Sequence, residues 1–543
     1  MTDNRDWVGK HYLVIDDFPG MRMVMCDMLR SLGVKHADQA GNGAEASAML
    51  AKTKYDVVLC DFDLGFGRSG QQVLEEARLL DLVGPSCIWL MVSADRSAES
   101  IMGAAEFQPD AYLCKPITEN LLLTRLNHVW SKKQVFQEID AAFSAKDYIK
   151  AAKLCDEKIA TCKLHALDLL RMKASLLMKS ADYAAAQKVY EQILADREYG
   201  WAKTGLARIH LHRGDYQAAK LMLQEVLAEN ANYLDAYDHL ALTLEKLGEF
   251  AEAEKVLGSA VKLSPNSVLR QLNLGTIALR LGDLSMAEKA FHKCIDVGKN
   301  SIRKTPDAYF GLARVCGQKE HVNQALEVLA DVQAAFVGED VSLRAKITEG
   351  LVYHEAGDFS KARKTSEEAA RMLEAAASKP NIEASLETAR LFFAVGVKNT
   401  PINLLRDLVR NNHDSEALAI EVQKIFDQAH LGDIGSQLVA SSRKEAEELM
   451  NHGVLLWKGG KPDEALAWMR NAKAALPSNV RVLFNCAHIM IAKMQEEGFD
   501  SALAGEAREI LLKADQLSPN HKRFAELMEL LQGCRPSDQT QAA

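Results

Sequence analysis

The chain has little that would tie it to a membrane, to nucleic acid or to an oxidising compartment. No stretch reaches the roughly 18 uninterrupted apolar residues of a membrane span, so no membrane segment is expected. The first residues, Met1-Thr2-Asp3-Asn4-Arg5-Asp6, lack the basic and apolar regions of a secretory leader. Ten cysteines include no CxxC pair and no Cys/His spacing of a zinc site, which fits reduced core thiols and a cytoplasmic location. Cys155 and Cys162, two helical turns apart, read as packing rather than ligation. A net charge of −9 argues against sequence-independent nucleic-acid binding as the main role, leaving room only for a local basic patch, and no direct DNA binding is expected. With 543 residues, 48% of them apolar, the chain exceeds one core and implies two or more units.

The N-terminal part carries four short apolar runs, and each ends on a chemically useful residue. Tyr12-Leu13-Val14-Ile15 ends on Asp16-Asp17, and Val57-Val58-Leu59-Cys60 on Asp61. Ile88-Trp89-Leu90-Met91-Val92 ends on Ser93, and Ala111-Tyr112-Leu113-Cys114 on Lys115-Pro116. Buried parallel strands read as such runs, and open α/β sheets bind ligands beyond the carboxyl ends of their strands. Three carboxylates, a hydroxyl and a lysine are therefore expected at one edge. An aspartate can take a phosphoryl group as a nucleophile. Clustered carboxylates repel one another unless a hard cation holds them, and Mg²⁺ suits one or two carboxylates plus phosphate oxygens. A lysine and a serine hydroxyl can hold the oxygens of the transferring group. Pro116 would fix the turn after Lys115, with a cis bond as one option.

Residues 10–130 with these motifs resemble the receiver domain of bacterial two-component response regulators. The resemblance implies a flavodoxin-like, doubly wound (βα)5 fold, with Asp61 as phospho-acceptor and Asp16 and Asp17 as metal-site acids. It also implies Ser93 and Lys115 as the phosphate-sensing pair and Tyr112 as the switch aromatic. Asp63 matches the position whose backbone carbonyl ligates Mg²⁺. In one departure, Gly65 replaces the usual proline after the acceptor, and Gly65-Phe66-Gly67-Arg68-Ser69-Gly70 makes a longer loop. That leaves the chemistry intact and the loop's partner contacts open. The same loop spells GxGxxG, but Asp61 and Asp63 would repel a pyrophosphate, and Leu90 stands where the fingerprint wants an acid. The glycines are read as a flexible turn.

From about residue 132 a 34-residue period appears, with Gly214, Gly248 and Gly282 at equivalent places. Small residues 12 apart accompany it: Ala174/Ala186, Ala207/Ala219, Ala241/Ala253, Gly275/Ala287, Ala313/Ala325, Gly350/Ala362 and Gly453/Ala465. Small residues let two helices of a hairpin cross closely, glycine ends the first helix, and Pro265 and Pro477 stop the second. Glu320 and Ala181 replace the glycine in two repeats. The pattern resembles tetratricopeptide (TPR) repeats, stacked as an α-solenoid. Block 132–378 is followed by 379–445, read as two degenerate repeats or a hinge, then by repeats at 446–533 and a polar tail, 534–543, expected to be disordered. Only Trp130 to Lys133 separates the last receiver helix, Leu121 to Val129, from the first repeat helix near Gln134 to Ser144, too short for a flexible linker.

The repeats show no catalytic constellation. His210 and His212 fall on different helix faces, Glu367-Glu368 and Glu496-Glu497 read as solvated, and Tyr237 and Tyr309 are assigned to the core rather than the groove. The expectation is a non-enzymatic response regulator, phosphorylated by a sensor histidine kinase or phosphotransfer protein, whose TPR concave surface holds a protein ligand. Two rivals are a phosphate sink or relay, and an indirect gene regulator that sequesters a transcription or RNA-binding factor.

Overall fold

The computed structural model describes residues 6–94, 109–375, 380–518 and 522–534 of the protein. The tail expected to be disordered lies, from residue 535, outside the described residues. Packing divides the described residues into two compact units. One runs from the N-terminal segment through Gly311, apart from Ser180–Asp182; the other runs from Leu312 onward together with those three residues.

The first unit opens with a parallel sheet of strands β1 (His11–Ile15), β2 (His36–Ala40), β3 (Val57–Asp61), β4 (Ile88–Ser93) and β5 (Ala111–Cys114), in the order β2-β1-β3-β4-β5. The four apolar runs of the sequence are β1, β3, β4 and β5. Helices α1 (Pro19–Ser31), α2 (Gly43–Lys52), α3 (Gly70–Leu79) and α4 (Glu119–Lys133) flank the sheet. Side chains alternate across a strand, so each apolar run feeds two cores. Tyr12, Val14, Val57, Leu59, Leu90 and Val92 pack with Met25 and Leu29 of α1 and Leu122 and Leu126 of α4. Leu13, Ile15, Val58, Cys60, Trp89 and Met91 pack with Ala46 and Leu50 of α2 and Val73, Leu74 and Ala77 of α3. Sheet order and register bring Asp16, Asp61, Ser93 and Lys115 to one edge.

Helix α4 runs to Lys133, passes through a 3-10 turn (Gln134–Phe136) and continues as Gln137–Ser144. Lys133 is buried; its Nζ donates to the carbonyls of Pro85 (3.0 Å) and Cys87 (3.1 Å) and pairs with Asp110 (2.9 Å). The junction is thus clamped to the sheet. The apolar cluster beneath α1 and α4 reaches Trp130, and the next cluster along the chain starts at Phe136.

Beyond the junction the chain is helical hairpins, such as Gly200–Arg213 with Tyr216–Glu229 and Leu234–Leu247 with Phe250–Leu263. The alanines of the small-residue pairs are buried at their crossings. At the glycine positions a Cβ would collide: at Gly275 it would lie 2.7 Å from Phe291, and at Gly453 it would lie 2.4 Å from the Met469 sulfur. Large side chains fill the space that small ones leave. Residues 380–445 are helical as well, and Gly432–Lys458 is one helix that passes through residue 446 without a break. Tyr237 and Tyr309 are half-buried. Cys155 is buried and Cys162, closing its helix, is half-buried.

Gly214, Gly248 and Gly282 end their helices in the left-handed region, at φ of 82°, 77° and 85°. Ala181 and Glu320 adopt the same conformation at 57° and 63°, although a Cβ disfavours it by roughly 1 kcal/mol or more. Glu320→Gly and Ala181→Gly are therefore expected to stabilise the protein, by about 0.5–1 kcal/mol each. Gly248→Ala should destabilise it by a similar amount. Thermal unfolding of the full chain checks both signs, and a lowered melting temperature for Glu320→Gly would contradict the assignment.

Candidate phosphorylation site

Asp16 follows β1 and is fully buried. Its Oδ1 accepts a hydrogen bond from the Phe18 N–H (2.9 Å), while its carbonyl accepts one from the Arg22 guanidinium (2.7 Å). Pro19 opens α1 just beyond, so the Asp16 carboxylate is fixed by the turn that starts this helix. Asp61 ends β3 with its side chain 10% exposed, and its Oδ1 accepts from the Phe62 N–H at 2.9 Å. The remaining oxygens of these two acids share one cation. Lys115 Nζ lies 2.9 Å from Asp16 Oδ2 and 2.8 Å from Asp61 Oδ2. Lys115 gets there because β5 pairs with β4, its own N–H donates to the Ser93 carbonyl (2.8 Å), and the next peptide bond, to Pro116, is cis.

Asp17 is exposed, yet one carboxylate oxygen from each of Asp16, Asp17 and Asp61 lies within 4.8 Å of the others. It is the one grouping of three such ligands found among the described residues. Ser93 ends β4 and is buried, and Tyr112 lies opposite Met91 on β5, half-buried against the core beneath α2 and α3. Asp63 is exposed, and its Oδ1 accepts from the Gly65 N–H at 3.1 Å.

The glycine that replaces proline has a geometric cause. Gly65 sits at φ +66°, which proline cannot adopt, and a Cβ there would stand 2.8 Å from Asp17 Oδ2. At the far end of the loop, a Cβ on Gly70 would lie 1.8 Å from the Asp61 carbonyl oxygen. Ser69 then caps α3 with a reciprocal box: its hydroxyl accepts from the Gln72 N–H, and Gln72 Oε1 accepts from the Ser69 N–H. The GxGxxG spelling is thus a loop that presses on the acceptor strand.

Burial raises the Asp61 pKa, as does the Asp16 charge, against the hydrogen bond and charge of Lys115. For Lys115 burial works the other way, but hydrogen bonds to Asp61 and Asp16 outweigh it and hold the ammonium charged. The site therefore has more negative charge than its one lysine balances, and it offers oxygen ligands at a spacing that a small divalent cation can bridge.

The profile of the response regulator receiver domain matches residues 12–127, and tetratricopeptide repeat profiles match 177–243, 239–296 and 449–471. Chemotaxis protein CheY-3 of Vibrio cholerae is 30% identical over 120 residues, which cover 22% of this chain and 91% of that protein. CheY of Pseudomonas aeruginosa is 28% identical over 120 residues, covering 22% and 95% respectively. A crystal structure of a CheY-like receiver domain protein from Methanospirillum hungatei is 23% identical, covers 23% of this chain and 97% of its own, and has a TM-score of 0.22. The chain belongs to the response regulator receiver family, with tetratricopeptide repeats following the receiver. Among the described residues no helix is long and apolar enough to cross a membrane.

Two features of the site were not read from the sequence. Arg22 anchors the Asp16 turn, and Gly70 packs against Asp61; only the loop glycines hinted at the second. The raised Asp61 pKa carries a pH dependence. A proton competes with a cation for this carboxylate at a higher pH than at an exposed aspartate, whose pKa is about 3.9. Mg²⁺ affinity, measured by calorimetry, should begin to fall, as pH is lowered, before the ordinary aspartate range is reached. An affinity that stays constant down to the ordinary aspartate range would contradict this.

Proposed function

We propose that Asp61 accepts a phosphoryl group from a sensor histidine kinase or phosphotransfer protein, and that its phosphorylation state sets the affinity of the helical repeats for a protein ligand. The observation carrying this reading is the Lys115 ammonium bridging Asp16 and Asp61 at the sheet edge. In the reaction an Asp61 carboxylate oxygen attacks the phosphorus of a phosphohistidine. The new P–O bond forms as the P–N bond breaks, and the imidazole leaves with the bonding pair. Lys115, already 2.8 Å from the acceptor oxygen, moves its charge onto the phosphoryl oxygens, and the Ser93 hydroxyl donates to them. Tyr112, on the strand leading to Lys115, follows that rearrangement as the switch aromatic.

The acidic cluster suits Mg²⁺, which Asp16, Asp17, Asp61 and the Asp63 carbonyl would hold. An ion held there would supply positive charge between acceptor and donor. In this reading the protein works in the cytoplasm as a signalling component, and the receiver catalyses only its own phosphoryl transfer and dephosphorylation.

For the ligand side, the C-terminal repeats hold a cavity of about 430 Å³ lined by Asn451, Arg481, Asn485 and Arg523 with Met450 and Phe484. These residues come from three alternate helices, Gly432–Lys458, Val480–Glu497 and Lys522–Gly533, the arrangement expected of the first helices of successive hairpins. Two guanidiniums and two carboxamides favour carboxylate-bearing segments of a partner.

A small phosphodonor with Mg²⁺ should label the wild type at one site, and Asp61→Asn should abolish labelling, since an amide is a far poorer nucleophile; phosphate-affinity electrophoresis reads this. Persistent labelling would move the acceptor elsewhere, with Asp63 the next choice. Partner capture with and without beryllofluoride, a non-covalent acyl-phosphate mimic, should reveal a ligand whose affinity changes by roughly 5- to 150-fold. An unchanged affinity with the mimic bound, and a short phosphate lifetime, would favour the sink reading.

A further inference from the structure

Among the described residues, the receiver touches the helices of its own unit in two separate places. One lies close to the junction. Asp81 accepts from the Tyr148 hydroxyl (3.0 Å) and pairs with Lys179 (2.5 Å), Ser86 bonds Asp140, and Lys54 bonds the Ser144 hydroxyl (3.1 Å). A short rigid connection holds these groups near one another in any state of the receiver.

The other lies more than 220 residues away along the chain. It is made by the loop after Asp61 and the first turns of α3. Asn300 Nδ2 donates to the Gly67 carbonyl (3.0 Å), and Arg68 Nε donates to the Asn300 carbonyl (3.2 Å). Gln72 Nε2 donates to the Val297 carbonyl (2.9 Å), and Arg303 Nε pairs with Glu75 Oε1 at 2.5 Å. The Glu75 side chain is 10% exposed and that of Arg303 30%, so the carboxylate end of this pair is largely withdrawn from water. The receiving segment is the connection between helices Leu284–Gly298 and Asp307–Gln318. It is longer than its counterparts: Glu320 follows Gly282 by 38 residues where the period is 34. The two departures from regular pattern, the lengthened receiver loop and the lengthened repeat connection, meet each other.

The loop is also joined mechanically to the acceptor. Gly65 closes against Asp17, Gly70 packs on the Asp61 carbonyl, and Gln72 holds the Ser69 N–H through Oε1 while reaching Val297 through Nε2. Arg68 is braced from behind, since a Cβ on Gly43 of α2 would lie 2.6 Å from both its Cβ and its carbonyl oxygen. A phosphoryl group on Asp61 brings three oxygens and roughly −1.5 to −2 charge beside the loop that Gly65 seats near Asp17 and Gly70 seats on the Asp61 carbonyl.

We propose that residues 67–75 and 297–303 form a releasable clamp between receiver and repeats, closed when Asp61 is unphosphorylated and opened by its phosphorylation. This rests on the reading of Asp61 as the acceptor, and it names the surface through which that site acts. Release frees the 299–306 connection and with it the repeat edge that the receiver covers. By reciprocity, anything that opens the clamp favours the phosphorylated receiver.

The test uses the full chain and hydrogen exchange at peptides covering 65–72 and 297–303. Beryllofluoride should speed exchange in both segments by at least about fivefold. Arg303→Glu, which places two acids together, should speed it without the mimic and should raise the rate of labelling by a small phosphodonor. The double swap of Glu75→Arg with Arg303→Glu should restore slow exchange. Unchanged exchange at 297–303 in protein that demonstrably holds the mimic would overturn the clamp while leaving the acceptor reading intact. Absent labelling of Asp61 would sink the acceptor reading first, and the proposed opening with it. Should Arg303→Glu unfold locally, Arg303→Gln gives the same comparison, and an Arg303→Gln protein that exchanges and labels as wild type does would also overturn the proposal.

Discussion

One ammonium between two buried carboxylates organises the receiver. Lys115 holds Asp16 and Asp61 together at the end of the sheet, and each acid is aimed by a backbone N–H of the residues that follow it. Without that cation, two acids with little solvent around them would repel each other and one would take up a proton. With it, the Lys115 hydrogen bond and charge favour the Asp61 carboxylate, against the burial that raises its pKa. A pair held this way is poised, because a new charge on Asp61 must redistribute the lysine. Everything near it, from the Ser93 strand end to the glycine loop, is packed around that one arrangement.

The repeats answer to a different constraint, the space between crossing helices. Alanine or glycine at fixed places lets Phe291 or Met469 enter the neighbouring helix, and the left-handed residue after the first helix sets the turn. Within the first unit each hairpin leans on the next, so a displacement at one connection can be handed along its hairpins as a tilt rather than absorbed locally. A receiver seated on the connection after Gly298 is therefore placed to act on more than the residues it touches.

Much of this could be read from residue order, and the reasons are local. The four apolar runs are strands buried on both faces, so burial and pattern agree, and each functional residue was the one that ended its run. The edge strand β2 escaped notice because His36-Ala37-Asp38-Gln39-Ala40 pairs on one side only and buries only its last residue. Charged residues are less legible in residue order. Arg270 resembles a solvated helix charge in the sequence, yet it is 2% exposed and paired in two places with Asp238 of the preceding repeat, at 2.6 and 2.8 Å. Residue type alone does not show which charges a superhelix will stack. The contacts of Arg68, Gln72 and Glu75 were unreadable for the same reason, since their partners lie 225 to 232 residues away. Only the irregular spacing on each side carried any trace of them.

The central claim is that the charge state of Asp61 is felt at the connection after Gly298. The most direct measurement is the distance between spin labels carried at Phe66 and Lys299, both exposed and flanking the contact, with and without beryllofluoride. The account predicts a single short distance in the free protein and a longer, broader distribution with the mimic bound. One short distance in both states, with the mimic shown to occupy the site, would contradict it.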